Sequence, residues 1–342
     1  MNTRIANYAA IALLLIISVF LLIVGRSLLQ PLITAIILWY VMVRIASFVQ
    51  QPTKKIRPLP YSIAFIISLI ITFSMMYWFF LSLGHSINNI VVEAGAYQET
   101  LKGWIDNVNN WVGGKLNTKD ILADISLPYV FSGVALMLSN LAGNISLIFI
   151  YLLFIFLEYH TFDKKLRAVC RTRDQYEKWT TAIKQVNSDI SKYLKVKTLA
   201  SALTGFASYI ILLAFSVNNA EFWGLFIFLL NFIPTIGAIV AIIITLIAAA
   251  VGAPSVMTFI AMSAILISVQ LIIGNLIEPK WLGSYLNLSP MIILLSLAFW
   301  GKIWGILGML LCVPLMAVLI IVLGHFKKTR PIAILMSANG EL

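Results

Sequence analysis

The sequence predicts an all-α integral membrane protein that crosses the bilayer several times. Hydrophobic residues make up 61% of its 342 residues, charged residues only 11%, and the mean hydropathy is +0.97. A chain so poor in charge cannot cover the water-exposed surface of a globular protein. Several apolar runs reach the roughly 20 helical residues that a bilayer core requires, and none alternates like a β-strand.

Eight apolar runs are candidate membrane segments. They comprise residues 8–24, 32–49, 61–83, 134–157, 199–217, 222–251, 255–277 and 288–324. The first run has no small-x-small cleavage site behind it, so we interpret it as a retained span and not as a signal peptide. This predicts three spans within residues 1–83 and a fourth within residues 134–160.

Basic residues predict which side each loop faces. Residues 50–60 carry three basic residues and no acid, and residues 161–197 carry ten basic and four acidic residues. By the positive-inside rule both face the cytoplasm, together with both termini and the tail 326–342. Residues 84–127 carry five acids and three lysines and are expected outside. The net charge of +11 then belongs to the cytoplasmic face and predicts no nucleic-acid partner.

Two segments outside the spans have helical periodicity. In the extracytoplasmic insert, residues 84–133, Trp104, Val108 and Trp111 recur at helical spacing opposite polar residues. This amphipathic helix lies on the outer interface, or packs on neighbouring subunits or spans; both alternatives stay open. The basic cytoplasmic region, residues 161–198, carries a similar stripe that should run straight into the fifth span.

The last third of the chain, residues 199–325, contains two segments of the wrong length, and we interpret it as a transport core. Residues 288–324 would form a helix of about 55 Å, nearly twice the bilayer core. Residues 222–251 are also long, and the sequence Asn231-Phe-Ile-Pro-Thr-Ile-Gly237 interrupts them. Pro234 removes a helix hydrogen-bond donor there. The break points predicted in the longer segment are Gly301, Gly305, Gly308 and Pro314.

Counting sides constrains these two broken segments, the sixth and the eighth. With both termini in the cytoplasm they must both cross the membrane or both re-enter. Two re-entrant helical hairpins explain the excess length and the breaks together, while two crossings with strong tilt stay possible. Paired broken segments are typical of a transport path near the bilayer midplane, because they expose backbone polar groups there.

The polar residues of the core are candidates for that path. Glu278 is the best candidate for binding a coupling ion, with Glu221 second; a structural pairing of Glu278 with Lys280, or a helix cap, is the alternative. Asn231 and Asn275 bind a small polar substrate or satisfy freed backbone groups. Lys302 faces the pathway or reaches an interface. The residues expected to shape turns are Pro279 and Gly283.

Other classes of protein lack their motifs. No GxxxxGK[ST] loop for ATP occurs, and no span carries the paired residues of an intramembrane protease, so we predict neither an enzyme nor a cofactor. Cys170 and Cys312 lie in very different settings, which predicts neither a disulfide nor a metal site. A non-transporting membrane scaffold is the alternative from another class.

The motifs of the core resemble those of the autoinducer-2 exporter family of bacterial membrane proteins. They are Asn231-Phe-Ile-Pro-Thr-Ile-Gly237, Gly274-Asn-Leu-Ile-Glu-Pro-Lys280, Gly308-Met-Leu and Val313-Pro-Leu315. The resemblance implies a homo-oligomeric inner-membrane transporter that exports a small polar molecule such as the quorum signal autoinducer-2. Exchange of Na⁺ or Li⁺ for protons is the alternative that the same resemblance implies. The expected partners are therefore the lipid bilayer, a small polar substrate and H⁺ or Na⁺.

Overall fold

A computed structural model shows a helical protein. It describes residues 3–50, 60–111, 143–252, 255–282, 287–326 and 328–340, with single positions between 113 and 139. Its helices, numbered in chain order, are α1 (Thr3–Val24), α2 (Arg26–Val49), α3 (Tyr61–Trp111), α4 (Ile145–Val169), α5 (Arg173–Ala214), α6 (Ala220–Leu230), α7 (Ile236–Gly252), α8 (Val256–Ile272), α9 (Glu278–Leu282), α10 (Pro290–His325) and α11 (Arg330–Met336). Most of the loop 50–60, most of the insert beyond Trp111, and Gly283 lie outside the described residues.

Four of the described helices are long and apolar enough to cross a membrane. They are α2, α5, the run Val256–Leu282 and α10. A fifth is α4, if the two parts on either side of its 67° bend count as one span. The other apolar helices, α6 and α7 among them, are shorter. The eight segments expected from the sequence therefore remain a prediction, while the all-α membrane class agrees with the described helices.

The chain forms two compact units. Unit 1 contains residues 1–68, 143–191 and 286–342, and unit 2 contains residues 69–142 and 192–285. The helix α3 continues without a break through the boundary expected near residue 83. Likewise α5 joins the basic cytoplasmic stripe to the fifth apolar run as one helix, which the unbroken periodicity predicts.

Aromatic packing forms the core of unit 1. Phe65 stacks on Phe156 of α4 with ring centroids 4.3 Å apart, and Trp39 of α2 lies 4.9 Å from Phe65. The side chain of Trp304 in α10 donates a hydrogen bond of 3.0 Å to the carbonyl of Leu22. Gln30 donates one of 2.7 Å to the carbonyl of Trp304. The bond from Gln30 satisfies a backbone acceptor where α10 is interrupted, and the bond from Trp304 ties this point to α1.

The interruption of α10 is at Gly305, where the chain turns back on itself. Gly305 has φ 64° and ψ −143°, a conformation that is essentially restricted to glycine. A Cβ placed on Gly308 would collide with the backbone carbonyl of Trp300. In a straight helix those two residues would be about 12 Å apart. The two arms on either side of Gly305 therefore lie side by side.

The residues after α10 are not a free tail. They form α11, whose end pairs with the residues just before α10 through an antiparallel bridge between Leu288 and Ser337. Ser289 donates a 3.0 Å backbone hydrogen bond to Met336, and Ala338 donates one of 3.1 Å to Asn287. This C-terminal clip, residues 287–289 with 336–338, brings both ends of the α10 segment to one place.

In unit 2, α6 and α7 are separate helices. The helix α6 ends at Leu230, and the turn 231–235 leads into α7. A Cβ on Gly237 would collide with the carbonyl of Leu230 and lie 2.6 Å from the Cβ of Ile233. Thr235 has φ 58°, a strained value for a β-branched residue. The interruption therefore falls within the sequence that the Asn-Phe-Ile-Pro motif predicts.

Candidate functional site

A row of buried polar side chains follows one face of α5 in unit 2. The row, which we name the polar strip, consists of Lys197, Ser201, Thr204 and Ser208, each almost completely buried. Spacings of four, three and four residues place them on one helix face. From Lys197 to Ser208 the helix rises about 16 Å, which is about half of a bilayer core.

At one end of the polar strip Lys197 forms an ion pair with Glu278. The Lys197 Nζ and Glu278 Oε1 atoms are 2.5 Å apart, and the two side chains are only 7% and 16% exposed. Glu278 therefore pairs with a residue 81 positions earlier. Lys280, the partner considered from the sequence, is exposed. Removing one member of such a pair would leave the other charge buried and unpaired, which is strongly destabilising.

One turn further along the strip, Asn231 connects α5 to α8. Its Nδ2 donates a 3.3 Å hydrogen bond to the Ser201 hydroxyl, and its Oδ1 accepts one of 3.3 Å from Gln270. Asn231 follows α6, which packs closely on α5 because two glycines face each other: a Cβ on Gly205 would lie 2.7 Å from the carbonyl of Gly224. The close helix contact therefore brings the Asn231 amide to the strip.

Several polar atoms in unit 2 are buried with no hydrogen bond to any described residue. They are the hydroxyl oxygens of Ser208, Thr245 and Ser263 and the Oε1 atom of Gln270. A buried polar atom without a partner costs free energy, and within a bilayer the cost is higher because water is excluded. Gln270 Oε1 can only accept a hydrogen bond, while the hydroxyls can donate or accept. The arrangement is suited to bind a neutral polar group that moves along the strip.

The motif Gly274-Asn-Leu-Ile-Glu-Pro-Lys280 shapes this site. Residues 273–277 form a π-helical turn, in which the N–H of Glu278 bonds to the carbonyl of Ile273. In a regular α-helix the ring of Pro279 would crowd the carbonyl of Asn275, and the wider turn relieves that clash. A Cβ on Gly274 would lie 3.2 Å from Gln270 Nε2. The motif therefore positions Glu278 and leaves room for Gln270.

The structure distributes the other predicted site residues over both units. Pro234 and Gly237 lie in the turn region next to Asn231, within unit 2. Asn275 and Pro279 are exposed on the helix surface. In unit 1, Lys302 is exposed and Pro314 is buried in the second arm of α10. Three predicted break-point glycines also lie in α10: Gly301, which faces the side chain of Met309, Gly305 and Gly308. No cluster of three His, Cys, Asp or Glu side chains that could hold a metal occurs among the described residues.

Five residues of the site were not predicted from the sequence: Lys197, Ser201, Thr204, Ser208 and Gln270. Lys197 is the last of the ten basic residues within residues 161–197, and the composition of this region does not distinguish the one that is buried. The spacing of the strip residues on α5 was the signal that could have identified it. Gln270 is the only amide side chain in the apolar helix α8, which was a second signal.

Spanning helices with a buried, partly unpaired polar strip define the class: a multi-pass helical membrane protein with a hydrophilic interior face. A profile of the AI-2E family transporter matches residues 10–328, and the chain belongs to that family. It is therefore a multi-pass protein of the bacterial inner membrane, in a family that is made up of transport proteins.

Individual relatives align with part of the chain. The chain is 34% identical over 200 residues to the AI-2 transport protein TqsA of Escherichia coli, covering 58% of this chain and 57% of TqsA. It is 34% identical over 206 residues to a candidate transport protein of Haemophilus influenzae, covering 60% of this chain and 59% of that protein. It is 29% identical over 201 residues to a candidate transport protein of Borreliella burgdorferi, covering 58% of this chain and 55% of that protein. The chain thus spans less than two thirds of the length of these relatives.

Proposed function

We propose that the protein is a secondary transporter or facilitator that exports a small polar molecule along the polar strip of unit 2. The observation that carries this proposal is the buried strip, with an unpaired hydroxyl at Ser208, beside the Asn231 amide and the unpaired Oε1 atom of its partner Gln270. Polar groups inside membrane helices are costly, and a non-transporting scaffold has no need for a row of them. A solute moving along the strip would supply the missing hydrogen bonds.

Autoinducer-2 is the substrate that we propose, because the relative TqsA is named an AI-2 transport protein. The side chains of the strip agree with a neutral, hydroxyl-rich solute: apart from the neutralised pair Lys197–Glu278, they are hydroxyls and amides. A homo-oligomeric assembly, implied by the family resemblance, belongs to the same proposal. The mass of the purified protein in detergent, corrected for bound detergent, tests it.

Exchange of Na⁺ or Li⁺ for protons is the second candidate function, and Glu278 favours it. A carboxylate held in a mostly buried position within a membrane protein is the group to which a proton or Na⁺ could bind in one access state and leave in the other. On this proposal Glu278 couples export to an ion gradient. A pure facilitator would use the same strip without coupling.

We also propose that the two broken segments re-enter the membrane and that both termini face the cytoplasm. The C-terminal clip supports this for the eighth segment, because Leu288 and Ser337 can pair only if both ends of α10 lie on one side. The seven residues of α11 are about 10 Å long and cannot cross a 30 Å core. Counting sides then requires the sixth segment to re-enter as well.

Purified protein in liposomes tests the proposal. Autoinducer-2 efflux and Na⁺/H⁺ exchange are measured under imposed pH and Na⁺ gradients, for the wild type and for the double variant Lys197→Gln/Glu278→Gln. The double variant removes both charges, so neither is left buried alone. We expect wild-type efflux to respond to a gradient and the variant to lose the response. Wild-type efflux that ignores both gradients establishes a facilitator, and no flux of either kind contradicts transport.

A further inference from the structure

The ion pair Lys197–Glu278 marks the end of the polar strip that is nearest to water. On α5 the lysines that precede the pair, Lys192 and Lys195, are exposed, while the polar residues that follow it are buried. The ion pair therefore lies where the exposed basic part of α5 meets the buried part. A solute entering the strip from the cytoplasmic end would meet this pair first.

The structure also contains an element that could separate the pair. Glu278 follows directly on the π turn 273–277, which holds one residue more per turn than an α-helix allows. If this turn became α-helical, every residue after it would rotate by about 100° around the helix axis, because 3.6 residues make one α-helical turn. That rotation would carry the Glu278 carboxylate away from Lys197.

Two neighbours of the turn set the cost of such a change of register. Pro279 has no N–H, so it loses no backbone hydrogen bond, but its ring would crowd the carbonyl of Asn275 in the α-helical register, which makes the π turn the resting state. Leu276, inside the turn, is exposed and packs little, so rotation there costs few contacts. A helix segment with two alternative registers is a two-state element of the kind that switches in transport proteins require.

We propose that the Lys197–Glu278 pair is a lock on the cytoplasmic end of the polar strip, and that the π turn 273–277 opens it by converting to α-helical register. This inference rests on the proposed function, in which the strip is the path of the solute. In the locked state both charges neutralise each other and close the strip. In the open state Glu278 turns away and the strip connects to the cytoplasm.

Cysteine labelling tests the lock without measuring transport. Ser208 is replaced by cysteine in a background in which Cys170 and Cys312 are changed to Ser and Ala, and a membrane-impermeant thiol reagent is applied to inside-out vesicles. Compared with the unmodified pair, Lys197→Gln or Glu278→Gln should raise the labelling rate about tenfold or more. The exchanged pair Lys197→Glu/Glu278→Lys should return it to the starting rate, because the attraction is restored.

Controls separate a lock from a general loosening of the fold. Lys192→Gln and Lys195→Gln remove exposed charges from the same helix and should leave the rate unchanged. A second reporter, Ala249→Cys, lies in the buried core of α7 and should stay unreactive in every variant. If this reporter reacts together with Ser208→Cys, the pair merely stabilises the fold and the lock is refuted. An unchanged Ser208→Cys rate in both single-charge variants refutes it as well.

A deletion tests the role of the π turn. In the background Pro279→Ala, where no proline ring crowds a regular helix, removing Leu276 takes away the extra residue, so the helix becomes regular while Glu278 keeps its orientation toward Lys197. The lock can then no longer open, and labelling of Ser208→Cys should fall about tenfold below the starting rate. Leu276→Ala, which loses the side chain but keeps the extra residue, should behave like the parent. Labelling that is equal in the deletion and the parent overturns the switch.

The labelling and transport experiments fail independently. Absent flux in the wild type with the labelling pattern intact contradicts the proposed transport function and leaves the lock in place. Normal flux with labelling that ignores the charges of Lys197 and Glu278 contradicts the lock alone.

Discussion

Leu288 and Ser337 pair across an antiparallel bridge, although 36 residues of α10 lie between them in the chain. The bridge is possible only because α10 turns back at Gly305. A segment that has the length and hydropathy of a membrane span therefore begins and ends at the same place. Hydropathy alone would count it as a crossing, whereas on the proposed re-entrant topology the residues that follow it stay on the side where it began.

The first prediction concerns the side of the membrane that the residues after the motif Gly274-Asn-Leu-Ile-Glu-Pro-Lys280 face. A single cysteine at Ser284, in a background without Cys170 and Cys312, should react with an impermeant maleimide only in inside-out vesicles. The reason is that residues 287–289 are tied to the C-terminal clip, and the basic residues of the tail predict that this end of the chain faces the cytoplasm. Labelling in intact cells from the periplasmic side would establish the crossing topology instead.

The second prediction concerns the close contacts at Gly237 and Gly308. A Cβ at either position meets a backbone carbonyl, which cannot move aside like a side chain, so alanine should cost about 1–3 kcal/mol and leucine more. We expect Gly308→Leu and Gly237→Leu to insert into the membrane but to lose transport. Insertion is checked by membrane fractionation and transport in liposomes.

The control for these variants is Gly84→Ala in α3, where an added Cβ would meet no atom within 4 Å. In a helix interior this change should be neutral or stabilise by about 0.5–1 kcal/mol. Wild-type flux in Gly237→Leu and Gly308→Leu would show that neither turn takes part in the transport cycle.

The third prediction concerns the backbone conformation at Gly305. The space where a Cβ would lie is open, so neighbouring atoms do not prevent a larger residue at this position. The obstacle to substitution is the backbone conformation itself, φ 64° with ψ −143°. Because this region also excludes asparagine, Gly305→Ala and Gly305→Asn should both destabilise by about 1–3 kcal/mol. The thermal unfolding midpoint in detergent measures this. If asparagine were tolerated well and alanine were not, the residue would have the ordinary left-handed conformation instead.

The fourth prediction concerns the C-terminal clip. Ala338→Pro removes the N–H that donates to the backbone oxygen of Asn287 at 3.1 Å and to its side-chain oxygen at 3.2 Å. The clip should open, and hydrogen exchange across residues 330–340 should increase about tenfold or more. The matched variant Ala338→Gly keeps the N–H and should retain slow exchange. Equal exchange in the two variants would mean that α11 is held by packing alone.

The interruptions between α6 and α7 and at Gly305 lie within the stretches that the sequence predicts, because proline and glycine act locally; broken membrane segments stay a prediction. Pro234 cannot continue a helix, and Gly305 permits a conformation that other residues avoid. Glu278 stays a predicted coupling residue, and the structure holds its carboxylate in an ion pair within unit 2. Each of these inferences depends only on residues within one short stretch.

The partners across helices could not be predicted, because they depend on which helices meet. Lys197 looks like any other lysine in its basic run until Glu278 lies beside it, and Asn231 reaches Ser201 only because Gly205 and Gly224 let two helices approach. The number of membrane spans does not follow from the apolar runs for a related reason. A run of apolar residues has the same composition whether it crosses, turns back or ends halfway.

The two hydrogen bonds of Trp304 affect how the protein is made. Leu22 and Gln30 are synthesised 282 and 274 residues before Trp304, their partner. Unit 1 is thus built from three separate stretches of the chain, and the hydrogen bonds of its N-terminal helices to Trp304 form only after that residue is synthesised. Contacts at such separation in sequence form slowly. Chains that terminate early would lack the last hairpin, leave the N-terminal helices without their partner, and become substrates for membrane proteases instead of partly active transporters.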